Sequence, residues 1–222
     1  MRLCALFFAA AAIVPCQENL GVLPEGPGLA ARYRGDAGIG KHPAVVFVED
    51  FRGGPLEELR ARWSDISNRD GQVLAFAEDA PAGSASPRSL RLTATRDANS
   101  GGHLFRNFGA GYDRLFLRFY VKFAPDAGFN HHFVSLGGSI NPPPHPTGGA
   151  GRRPVDEWIS GIEPVAASGR GESFPPPGIW HFYTYWPEMR SWQSEEGKAV
   201  DDNGRAFYGN NFEPREIGRA HV

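Results

Sequence analysis

The hexapeptide HFYTYW at 181–186 sets His181, Tyr183 and Tyr185 at alternate positions. Successive strand side chains face opposite sides of a sheet, so these three share a face if the segment is a strand. Histidine and tyrosine both exchange protons, and tyrosine rings stack on sugars. An aromatic core strand with its hydroxyls satisfied is the alternative. A second alternating block, LFLRFYVKF at 115–123, sends Leu115, Leu117, Phe119, Val121 and Phe123 one way. Phe116, Arg118, Tyr120 and Lys122 go the other way. A basic, aromatic strand face suits an acidic sugar polymer; a solvated outer face is its bland counterpart.

Cleaving a polyuronide by β-elimination takes three groups. A cation or amide neutralises the substrate carboxylate, a base removes the proton from the neighbouring carbon, and an acid protonates the leaving oxygen. Arg118, Lys122, Arg152 and Arg153 are candidates for the first role; His131, His132 and His181 for the second; Tyr183 and Tyr185 for the third. Strand parity sends His132 to the core with Val134 and Leu136, and His131 outward with Phe133 and Ser135. Adjacent strand histidines do not converge on one ion, so zinc is not expected. Glycoside hydrolysis needs two carboxylates across the scissile bond. Glu157 and Glu163 are the nearest approach, and the alternating acidic cluster of β-glucanases is absent. No cofactor is implied, although Glu49 and Asp50 offer carboxylates that calcium could use with carbonyls from a late strand.

The elements that must carry these residues read as short strands. The chain has 222 residues, enough for one domain of ordinary size. With 23 basic against 25 acidic residues, it is not a general nucleic-acid binder. Glycine (28) and proline (19) are abundant and no long helical periodicity runs through the chain, which favours an all-β, loop-rich fold. Strands are expected at 44–48, 72–78, 89–95, 102–108, 115–123, 130–136, 158–163 and 181–186, with one short helix at 55–63 that presents Leu56, Leu59 and Trp63 on one side. Loops fill 139–154 and 166–178.

Residues 1–16 read as an export signal: Arg2 precedes the apolar run 3–14, which is too short to span a bilayer. The protein is therefore expected to be secreted or extracytoplasmic, without a transmembrane segment, and Cys16 is a candidate lipidation site. Cys4 and Cys16 are the only cysteines, so the mature domain has no intrachain disulfide. Residues 17–43 form an irregular leader, and 44–215 the domain. The closing EIGRAHV at 216–222 translates the start of a common short-read sequencing adapter, whose next triplet is a stop. The natural frame is accordingly expected to be interrupted near Arg215, leaving the domain truncated at its C-terminus.

The runs GGHLFRNF, LFLRFYVKFAPDAGFNHHFVSLGG, WISGIEP and HFYTYW, in that order, resemble the concanavalin A-like jelly rolls. They are similar, more closely, to the polysaccharide lyases of the alginate and glucuronan lyase type, over residues 45–187. The resemblance implies a β-sandwich in which Ser160 matches the family serine and Tyr183 and Tyr185 match its tyrosine pair. The family arginine falls near Ile162 or Glu163 and the family lysine within 131–135, and in both places this chain differs. The implied function is β-elimination on acidic polysaccharide, with Tyr183, Tyr185, His181 and His131 as catalytic residues. Arg118, Tyr120, Lys122, Ser160 and Glu163 would contact the substrate. A non-catalytic carbohydrate-binding or adhesion module of the same fold is the other reading.

Overall fold

The computed structural model describes residues 26–130, 132–145, 151–166, 173–189, 192–193, 205–206 and 210–212. The expected signal segment, Cys16, His131 and the tail at 216–222 lie outside them. The described residues form strands and short 3-10 turns, an all-β character. None of their helices is long and apolar enough to cross a membrane.

The chain divides into two compact units, Met1–Val48 with Ala82–Ala85, and Glu49–Pro81 with Ser86–Val222. In the first, three 3-10 turns, Leu29–Arg32, Arg34–Asp36 and Ile39–Lys41, follow one another closely. The apolar run 44–48, expected as a buried strand, joins no ladder among the described residues, and Val46 and Val48 are exposed.

Among the described residues, the strands all lie in the second unit. Its first core forms under the 3-10 turn Leu56–Ala61. As the sequence spacing implies, Leu56, Leu59 and Trp63 face one cluster, which also contains Ile66, Val73 and Leu74. Leu59 is fully buried there. Strand β1 (Asp65–Ser67) supplies Ile66, and β2 (Leu74–Ala77) supplies Leu74 and Phe76. β2 pairs antiparallel with β3 (Ser89–Leu92), and β1 with β4 (His103–Phe105). The Glu49 carboxylate ties this region together. It accepts hydrogen bonds from Arg62 Nε (2.8 Å) and Nη2 (3.2 Å), Trp63 Nε1 (3.0 Å) and the Phe51 backbone N–H (2.9 Å). The hydrogen bond to Glu49 raises the Arg62 pKa further, and the four bonds together fill the carboxylate with protein donors. Asp50 pairs with Arg52 at 2.5 Å. The two carboxylates that the sequence offers to calcium are thus engaged by arginines.

The principal sheet has four antiparallel strands: β5 (Val134–Ser139), β6 (Glu157–Val165), β7 (Ile179–Tyr185) and β10 (Asn210–Phe212), in spatial order β10-β7-β6-β5. A further short pair, β8 (Trp192–Gln193) with β9 (Arg205–Ala206), lies between β7 and β10 in sequence. Before β7, Gly178 takes a left-handed φ of +102°, and a Cβ there would collide with the Val165 backbone. β5 starts four residues later than the sequence pattern suggests. The reason is His132, whose φ of +61° is left-handed and interrupts extended backbone before Val134.

Segment 115–123 also departs from expectation, since it joins no ladder among the described residues. Its apolar parity is realised only in part. Leu115, Phe119 and Phe123 are half-buried, whereas Leu117 and Val121 are exposed. Phe119 and Phe123 pack on Phe133 with centroids 6.0 and 5.7 Å away, and Phe123 reaches Trp180 at 5.9 Å. Ring packing, not strand pairing, holds the segment.

Candidate functional site

Directly opposed residues in an antiparallel ladder project to the same side of the sheet. Register sets Ile159 opposite Tyr185, Gly161 opposite Tyr183, and Glu163 opposite His181. One face of β6 and β7 therefore carries His181, Tyr183, Tyr185 and Glu163 together, as period-two spacing requires. Gly161 leaves the floor beside Tyr183 low; a Cβ there would meet nothing closer than 3.7 Å.

The tyrosine hydroxyls are 3.1 Å apart, in hydrogen-bond contact, with rings edge-on at 5.4 Å. Tyr185 is buried against Met189, Ile159 and Trp186, while Tyr183 is half-buried. The pair thus has an inner and an outer member. Glu163 and His181 are deeply buried, at 1% and 2% exposure. Glu163 Oε2 accepts the His132 backbone N–H at 2.6 Å. The same oxygen lies 3.8 Å from His132 Nδ1. Neither ring nitrogen of His181 meets a hydrogen-bond partner among the described residues. Burying an imidazole in that way is costly, and such cost is more often tolerated at a working site than in a plain core.

His132 is the residue that the sequence misplaced. Strand parity sent it to the core, yet its side chain is 66% exposed and its ring stands 5.6 Å from that of Tyr183. Parity fails because a left-handed residue reverses the alternation on which it rests. Histidine is among the few non-glycine types enriched in that conformation, the only signal available beforehand.

The other expected site residues are dispersed. Ser160 lies on the opposite face from the tyrosines, bonded to Thr184 at 2.8 Å between hydroxyl oxygens. Arg118 and Tyr120 are exposed; the guanidinium lies 4.9 Å from the Tyr120 ring centroid and also meets its hydroxyl. Lys122 pairs with Asp79 at 2.7 Å. Arg152 lies 3.8 Å from Glu157. Glu157 and Glu163 share a face of β6 six positions apart, but Glu163 is sealed beneath His132. Among the described residues, no group of three or more histidines, cysteines or carboxylates is arranged to hold a metal ion.

Comparison with protein-family models, with curated proteins and with solved structures finds no match to this chain.

Proposed function

We propose that this chain is an exported, concanavalin A-like jelly roll that acts on acidic polysaccharide by β-elimination. The observation that carries the reading is the hydroxyl contact of Tyr183 and Tyr185 at 3.1 Å on the sheet face that also holds His181 and Glu163. Two phenols in contact can pass a proton outward and be recharged from within. Tyr183, the outer member, would protonate the leaving glycosidic oxygen, with Tyr185 behind it. A histidine of this face takes the proton from the carbon beside the substrate carboxylate. The electrons left behind form the new carbon–carbon double bond as the bond to the leaving oxygen breaks. The four-stranded antiparallel sheet is then one layer of the sandwich.

Incubating the full-length protein with polymers of glucuronic, mannuronic and guluronic acid should yield an ultraviolet-absorbing unsaturated product. Tyr183→Phe should lower kcat roughly 100-fold or more while retaining glycan binding, since acid catalysis contributes about 10²–10⁴-fold. Failure to release product from any polyuronate would sink the reading.

A non-catalytic glycan-binding module is the second reading. It is favoured by the exposed Arg118–Tyr120 stack and by the neutralisation of Lys122 by Asp79. Binding without product, lost on Tyr120→Ala, would select it.

A further inference from the structure

We infer that His132 is the proton-accepting residue of this face and that Glu163 is its positioning residue. The first half of this inference rests on the β-elimination reading. The sequence offered His131, His132 and His181 for the role, with strand parity sending His132 to the core, and Glu163 for substrate contact. The geometry divides the work differently.

His181 is buried at 2% exposure, walled off from a polymer that would lie on the sheet. His132 is not: its imidazole is exposed and stands over Tyr183, the outer member of the hydroxyl pair. Base and acid of an elimination must flank the same sugar ring, and an imidazole 5.6 Å from the Tyr183 ring meets that requirement. The exposed position of that imidazole depends on its backbone. A left-handed histidine is strained and persists only where surrounding contacts hold it. Glu163 supplies such a contact, since its buried carboxylate accepts the His132 N–H at 2.6 Å. A charged acceptor makes that bond stronger than an amide acceptor would. The carboxylate is too deeply buried to reach a polymer itself, so its role is to hold His132. In the step itself, the substrate C–H proton passes to an imidazole nitrogen. The C–H electrons form the double bond, the glycosidic C–O bond breaks, and the Tyr183 hydroxyl gives its proton to the departing oxygen.

The test uses the full chain and two substitutions. His132→Gly removes the ring, keeps the backbone N–H and suits the left-handed backbone, so the variant should remain folded. Glu163→Gln keeps the shape and removes the charge. His132→Gly should cut turnover of polyuronate roughly 100-fold or more, and free imidazole should restore part of it. Glu163→Gln should lower kcat with little change in KM and no rescue by imidazole. It should also shift the His132 amide proton upfield in the nuclear magnetic resonance spectrum. Full turnover by His132→Gly, with wild type active, would overturn the assignment of the base while leaving the lyase reading intact. Wild type inert on every polyuronate would sink the base role together with that reading. The His132 amide shift would then decide the positioning role alone, and an unmoved resonance in Glu163→Gln would overturn it.

Discussion

Replacing Glu49 by alanine tests how the first core is held. The Glu49 side chain is 6% exposed and accepts four donated hydrogen bonds, two from Arg62 and one each from Trp63 and the Phe51 backbone. A hydrogen bond to a charged group contributes about 1.5–3 kcal/mol net, but bonds to one carboxylate are not additive. Arg62 is 34% exposed and can turn to water, which removes most of its share. The indole N–H and the Phe51 amide lose a buried acceptor, at about 1–3 kcal/mol each before relaxation. The net expectation is a loss of about 2–4 kcal/mol. At about 2–4 °C per kcal/mol for a chain of this size, Tm should fall by about 4–16 °C. Urea unfolding followed by tryptophan fluorescence measures the loss directly. Glu49→Gln, which keeps one acceptor oxygen, should cost about half as much. If Glu49 serves arginine and indole rather than an ion, the Tm of the wild type should be the same in calcium and in chelator. A loss below about 0.5 kcal/mol in Glu49→Ala, or a Tm that follows calcium, would refute the reasoning.

Two further predictions concern the same unit. Leu59→Ala should cost about 2–5 kcal/mol in urea unfolding, because Leu59 is fully buried in the cluster and its truncation removes apolar contacts and leaves a cavity. The hydrogen bond from His103, at 2.7 Å, holds the Asp65 carboxyl below its ordinary value near about 4. A depressed folded-state pKa gives stability that is fully present above the unfolded value and lost as pH falls through the folded one. Stability measured between about pH 5 and pH 2 should therefore decline more steeply in wild type than in Asp65→Asn; parallel profiles would count against the pair.

The sequence by itself settled what depends on local pattern. Alternation in HFYTYW and WISGIEP places Tyr183 and Tyr185 on one face, and β6 and β7 form close to where the pattern puts them. The spacing of Leu56, Leu59 and Trp63 finds the core-facing side of the only helical turn in that region. Burial of side chains at fixed backbone periods is a short-range property, so it is legible from residue types alone. Tertiary structure decided what depends on partners distant in sequence. Segment 115–123 alternates as cleanly as any strand, yet strands need a neighbour to bond, and Phe133 and Trp180 claim its rings instead. Ser160 shares a strand with Glu163 but not a parity, so register sends it to the far face with Thr184. His132 turns outward because a carboxylate 31 positions later captures its amide and a left-handed φ breaks the alternation. One backbone dihedral reverses which way a side chain points, and only the distant contact that holds it makes the reversal visible.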